Sequence, residues 1–192
     1  MVDALAFWAF TDIFEEFGQP DNPFNGSFGL MTIHGIKKPS YRLLQILRDV
    51  GTRRVPLTLT GAPASAGGIA IKGGRRGGVD VLLYNHAVPS GREGTPPTPA
   101  QEGRLTVVLR GLSARGARAR IRRIDADHAN PYREWVELGR PEYPTRRQLR
   151  RIDEASELDD EPLKLDRDRA TGDATFTVDL PAEAVAAVHV TR

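Results

Sequence analysis

The sequence predicts a mainly β chain: an antiparallel β-sandwich with a short helical insertion, preceded by one β–loop–α unit. Three observations carry that expectation. Beyond Arg54, seven segments alternate apolar and polar residues with period two, the pattern of strands with one buried face. Gly- and Pro-rich stretches separate most of them, as in sandwiches. Ahead of them, residues 5–14 are almost continuously apolar, and a helix-period pattern follows at 37–51.

Taken in order, LAFWAFTDIF (5–14) is rich in aromatic and aliphatic residues, which suits a strand covered on both faces. A polar loop of Gly, Pro, Asp and Asn runs through Gly29. In KKPSYRLLQILRDVG, Pro39 fits the first turn of a helix, and Leu43, Leu44, Leu47 and Val50 form an apolar stripe. Gly51 ends it. Residues 1–51 therefore form one unit, whose strand needs neighbours on both faces. Residues 52–192 form the sandwich, with the helical insertion at about 125–172. The strands are VPLTLT, GIAIKG, VDVLLYN, RLTVVLR, ARARIRRI, ATFTVDL and AVHVTR. GGRRGG (73–78) is a turn and VPSGREGTPPTPAQEG (88–103) a long Pro-rich loop. Inside the insertion, Thr145 and Gln148 have the spacing of a capping box, with Leu149, Ile152 and Leu158 at helical spacing behind it.

Composition narrows the function classes. Apolar residues make up 40% and charged residues 27%, which suits a globular chain and not a disordered one. A net charge of +2 gives no strong case for a nucleic-acid or membrane partner. The chain has no cysteine, which excludes disulfides, zinc ribbons and thiol catalysis. His34, His86, His128 and His189 stand at no metal-ligand spacing, so no metal or other cofactor is expected. The opening MVDALAFWAF carries Asp3 and no basic flank, which reads as a strand and not a leader, and a cytoplasmic location is the expectation. The arginines 118, 120 and 122 alternate with Ala117, Ala119 and Ile121, the pattern of a solvated face on an outer strand. No aromatics are interleaved there for base stacking.

The candidate chemistry lies near the start. Paired carboxylates are the working unit of glycoside hydrolysis, but a retaining pair must stand about 5–5.5 Å apart across one sugar. Glu15 and Glu16 are adjacent and would diverge at a strand end. They read either as binders of sugar hydroxyls or as a solvated acidic loop. Trp8 and Phe14 read either as a platform for a sugar ring or as core. Asp12 shares alternation with Phe10 and Phe14 and reads as a hydrogen-bonding support.

Two blocks point further. FWAFTDIFEE followed by PFNGSFGLMTIHGIKKPSYRLLQIL resembles the eighth strand, following loop and last helix of family 39 glycoside hydrolases, which include β-xylosidases and α-L-iduronidases. RIRRIDADHANPYREWVELGRPEYPT is similar to that family's stretch R-x-x-x-[IV]-D-x-x-H-x-N-x-Y-x-x-W-x-x-x-G-x-P-x-x-P-T. The matching positions are Arg120, Ile124, Asp125, His128, Asn130, Tyr132, Trp135, Gly139, Pro141, Pro144 and Thr145. VDVLLYNHAVPS resembles a sandwich strand of the family. The resemblance implies a retaining exo-glycosidase with a (β/α)8 barrel followed by a β-sandwich, residues 1–51 being the last strand, loop and helix of that barrel.

On this resemblance the acid/base and nucleophile glutamates follow the fourth and seventh strands, so no residue here is assigned as catalytic. Trp8 would face the sugar, and Glu15, Glu16 and Asn25 would line its site. The loop that often reads P-F-H-G-G-F-G is here Pro23 to Gly29 with Asn25 and Ser27, which changes the pocket wall. The expected partner is a xylose-type carbohydrate, and an uncovered apolar patch would favour homo-oligomers. A second reading from another class is a non-catalytic β-sandwich module that binds carbohydrate or protein.

Overall fold

The computed structural model describes residues 5–13, 22–87, 99–111 and 116–191. The chain divides into two compact units. One combines residues 1–45 with 127–158; the other combines 46–126 with 159–192. No helix among the described residues is long and apolar enough to cross a membrane.

The second unit is an antiparallel sandwich. Its strands are β1 (Arg53–Val55), β2 (Thr58–Thr60), β3 (Ala66–Lys72), β4 (Val79–Asn85), β5 (Gly103–Leu109), β6 (Arg118–Ile124), β7 (Glu161–Leu163), β8 (Asp166–Arg167), β9 (Ala174–Leu180) and β10 (Ala184–Thr191). One sheet has the order β1-β3-β4-β10-β6-β7 and the other β2-β5-β9-β8. Period-two alternation sends one face of each strand inward. Val81, Leu83, Ile121, Val188 and Val190 from the six-stranded sheet meet Leu105, Val107, Phe176 and Val178 from the four-stranded sheet in one core. The expected arginine alternation is realised in part in β6, where Ala119 and Ile121 are buried and Arg118 and Arg120 exposed, but Arg122 is half-buried and the strand lies between β10 and β7, not at the sheet edge.

Two features differ from expectation. VPLTLT is two strands and not one. Val55 pairs with Ala70 in one sheet and Leu59 with Val107 in the other. Pro56, with no N–H to give a ladder, marks the change of sheet. The segment read as a purely helical insertion also returns to the sandwich at its end, where β7 pairs with β6 and β8 with β9.

Polar residues fasten the strand ends. Asn85, fully buried, donates through Nδ2 to the carbonyls of Gln101 (2.7 Å) and Pro181 (3.0 Å) and accepts from Ser65 Oγ (2.7 Å). Such a side chain is costly to bury unless satisfied, and here both ends are. Within GGRRGG, a Cβ on Gly78 would lie 2.2 Å from the Val190 carbonyl oxygen, so the turn needs glycine there. Arg122 is held below its usual value, first by burial and then by the neighbouring Arg76 guanidinium.

The first unit holds most of α1 (Pro39–Asp49), together with α2 (Pro131–Glu137) and α3 (Arg146–Glu154). Pro131 opens α2. Thr145 and Gln148 form the capping box that their spacing predicted, and Ile152 is the buried residue of α3. Ile36, Trp135 and Ile152 make a small core, with Phe24, Val136, Leu138 and Leu149 packed on it.

In α1 the buried positions are Arg42 and Ile46, one turn apart, while Leu47 is exposed. The predicted leucine stripe is therefore only partly covered, Leu43 and Leu44 being half-buried. Arg42 is sequestered because its guanidinium is satisfied. It donates to the Ser156 carbonyl at 2.6 Å, Ser156 Oγ at 3.0 Å and Gln45 Oε1 at 2.9 Å, and pairs with Glu157 at 2.7 Å.

Candidate functional site

The N-terminal segment was expected to be a regular strand. Among its described residues it carries a single parallel bridge, Thr11 to Met31, with bends on either side. Leu30 N–H donates to the Ala9 carbonyl (2.9 Å), Met31 N–H to that of Phe10 (3.1 Å), and Asp12 N–H to that of Met31 (2.9 Å). The partner segment doubles back at Gly35, so that Lys38 N–H reaches the Leu30 carbonyl at 3.0 Å. That turn brings Lys38 to Asp12.

Asp12 and Lys38 form the polar centre of this region. Lys38 Nζ lies 2.7 Å from Asp12 Oδ1 and 2.6 Å from Oδ2, and it also donates to the Ser27 carbonyl at 2.8 Å. Gly29 N–H donates to Asp12 Oδ1 at 2.9 Å. The Asp12 side chain is fully buried, and this set of partners makes an ionised carboxylate tolerable there. Gly29 is required by close approach: a Cβ on it would lie 2.2 Å from the Thr11 carbonyl carbon. Asp12 is thus the support that its position suggested, although it does not share a face with Phe10. Asp12 is 2% exposed and Phe10 63%, because bends replace the regular pleat.

The apolar side chains of the segment point the other way. Trp8 is 70% exposed, and Leu5, Phe7, Ile13 and Phe28 are exposed with it. The Trp8–Ala9 peptide bond is cis. A two-sided cover for this run was expected, and among the described residues its large apolar side chains stay exposed. The arrangement is a braced backbone displaying an aromatic and aliphatic surface that can take an apolar partner or the face of a sugar ring.

Of the four predicted contact residues, the structure assigns surroundings to two. Trp8 stands on the exposed surface just described. Asn25 is half-buried in the loop, where its Nδ2 donates to the Asn22 carbonyl (3.1 Å) and its Oδ1 accepts from Ser27 N–H (2.9 Å). Its side chain shapes the loop, as asparagine does in turns. Glu15 and Glu16 lie outside the described residues. Beside Asn25, Phe24 packs on Tyr132 (centroids 5.7 Å apart, edge-on) and on Trp135 (5.5 Å). Trp135 Nε1 donates to the Pro141 carbonyl at 3.0 Å. Residues far apart in sequence thus anchor the loop that bears Asn25.

Lys38 and Trp135 were missed as parts of this site. The basic pair before Pro39 was a signal for Lys38, but only the turn at Gly35 brings it to Asp12. Among the described residues, no group of three or more His, Asp or Glu side chains is placed to hold a metal ion.

Comparison with known proteins places these features in a family context. The profile of the glycosyl hydrolases family 39 matches residues 1–171. A β-xylosidase of Caldicellulosiruptor saccharolyticus is 38% identical over 158 residues, covering 82% of this chain and 30% of that protein. A β-xylosidase of Geobacillus stearothermophilus is 25% identical over 154 residues, covering 80% and 27%. The crystal structure of a family 39 enzyme from Xanthomonas axonopodis pv. citri superposes with a TM-score of 0.70 at 24% identity, over 95% of this chain and 36% of that one. The chain spans less than a third of the length of these two β-xylosidases.

Proposed function

The chain belongs to glycosyl hydrolase family 39, and on that premise we propose that it is the C-terminal part of a retaining exo-glycosidase, a β-xylosidase acting on xylo-oligosaccharides. The observation that supports this most is the 38% identity to a β-xylosidase across 82% of the chain. In this reading residues 1–51 are the last strand, loop and helix of the catalytic barrel, and 52–192 are its companion sandwich. The exposed face of Leu5, Phe7, Phe10 and Ile13 is then the surface that the rest of the barrel covers. The Asp12–Lys38 pair holds the backbone that presents Trp8, while Phe24 and Trp135 fix the loop bearing Asn25. Trp8 faces the sugar, and Glu15, Glu16 and Asn25 contribute to its binding. The acid/base and the nucleophile come from other strands of the barrel, so this chain alone does not catalyse.

Hydrolysis of an aryl β-xyloside tests the proposal. The 192-residue chain is expected to be inactive, and a chain extended with seven upstream β/α units is expected to hydrolyse the substrate with retention. In the extended chain, Trp8→Ala should raise KM or lower kcat by about 10- to 100-fold, the range of a lost positioning contact. Hydrolysis by the 192-residue chain alone would refute the division of roles.

A second reading, a non-catalytic carbohydrate- or protein-binding module, is favoured by the sandwich's own closed core. Xylo-oligosaccharide binding by residues 1–192, unaffected by Trp8→Ala, would support it.

A further inference from the structure

We propose that the sandwich carries a separate ligand site for a small hydroxylated carboxylate of monosaccharide size, the class to which uronic acids belong. It lies where β6 begins and the chain crosses from β7 to β8. A cleft of about 380 Å³ opens there. That volume falls within the roughly 300–1,000 Å³ typical of small-molecule sites.

The lining has one sign of charge. Arg118, Arg120 and Arg167 border the cleft, and among the described residues no Asp or Glu does. Arg120 is already neutralised, since its Nε lies 2.9 Å from Asp160 Oδ2. Arg118 and Arg167 have no carboxylate partner among the described residues, so they carry the net positive charge. Arg167 Nη2 donates to the Ala117 carbonyl, which holds its guanidinium at the rim with other N–H groups still to be used. Planar guanidinium groups suit a carboxylate because two parallel N–H donors match its two oxygens. The alternating arginines of β6, unexplained by the glycosidase reading, acquire a role here.

His189 supplies an independent observation. It also lines the cleft, and it is only 7% exposed. Its Nδ1 is 2.8 Å from Asp80 Oδ1, which places the ring proton on Nδ1 when Asp80 is ionised and the imidazole neutral. Nε2 is then an acceptor, and this buried atom has no hydrogen-bond partner among the described residues. Buried polar atoms normally have one. Nε2 lies behind the cleft surface, and a small displacement of the side chains over it would let a ligand hydroxyl donate to it while the carboxylate engages the arginines. Leu163 and Leu165, which pack on the sandwich core, also line the cleft.

The test is titration of D-glucuronate into the ¹⁵N-labelled 192-residue chain at constant ionic strength, followed by NMR. Parallel titrations use D-glucose and sulfate. Glucuronate is expected to give saturable shifts at the amides of Arg118, Arg167 and Thr191 and at His189 Nε2. Glucose, lacking the carboxylate, and sulfate, lacking the ring, should each bind at least about ten-fold more weakly. Arg118→Ala and Arg167→Ala, both at exposed positions, should each weaken glucuronate binding by about ten-fold or more, and the control Arg104→Ala should not. Arg104 belongs to the other sheet, where it pairs with Asp179 at 3.0 Å. Absence of saturable shifts would overturn the proposal. So would sulfate binding as tightly as glucuronate, which would mark a general anion patch, or loss of binding in the Arg104 variant. None of these readouts depends on glycosidase activity.

Discussion

The sandwich and the N-terminal segment use similar residues and treat them in opposite ways. In the sandwich, Phe176 is 1% exposed, pressed between two sheets. In the N-terminal segment, Phe10 is 63% exposed and Leu5 74%. Hydrophobicity does not separate these residues. What differs is the supply of neighbours: two sheets cover each other, whereas among the described residues one short bridged segment has no second layer over its apolar side chains. The segment keeps its backbone course through polar means instead, by the Asp12–Lys38 pair and the hydrogen bond from Gly29. One region is held by apolar burial, the other by a buried ion pair beneath an apolar display.

Substitutions can break this contrast in a ranked way. Phe176→Ala should be the most damaging, at about 3–5 kcal/mol, because it opens a cavity in a core that cannot fully collapse. Chemical denaturation followed by fluorescence measures it; a loss below 1 kcal/mol would show that the sandwich core is not close-packed there. Asp12→Ala should cost about 3 kcal/mol locally, since Lys38 is left largely buried with the Ser27 carbonyl as its remaining partner among the described residues. Hydrogen exchange at Leu30 and Met31 should accelerate while the amides of β9 stay protected. Equal acceleration in both places would mean that the two regions do not differ as described.

Phe10→Ser is the converse case. It should change stability by less than about 0.5 kcal/mol, the usual range for an exposed position. It should also reduce binding of a hydrophobic dye and any self-association seen by size-exclusion chromatography. Dye binding that is unaltered would place the apolar surface elsewhere.

The smallest effect concerns acid. Glu183 is held below the usual carboxyl value by the N–H of Ala87 first and by His86 second. Its folded value being depressed, its contribution is complete above the ordinary glutamate range and is lost as pH falls through the lowered value. An NMR titration should place its midpoint below 4.5, and Ala87→Pro, which removes the donor, should move it up. A midpoint at or above 4.5 would contradict the geometry.

Much of the architecture was legible because it rests on local repeats. Alternation located most strands of the sandwich, though not β7 and β8, and Arg118 and Arg120 of β6 are exposed as their spacing implied while Arg122 is half-buried. The capping box at Thr145 needed only residues three apart. Other features were illegible for the opposite reason. Nothing near Arg42 announces that Ser156 will accept its guanidinium hydrogen bonds at a separation of 114 residues. VPLTLT alternates evenly, yet its two halves enter different sheets, a choice made by pairing partners and not by pattern. Of the candidate site, Asp12 as a support was readable, while Lys38 as its partner depended on a turn and the Phe24–Trp135 contact on a long-range pairing.

By itself, then, the sequence determined the antiparallel sandwich, the family and the helix caps, because period, turn chemistry and motif spacing act over a few residues. Tertiary structure alone decided which apolar residues are covered, which polar groups are paired and where the arginines of β6 meet His189. Burial and ion pairing depend on what stands opposite a side chain, and that is set by chain segments tens of residues away.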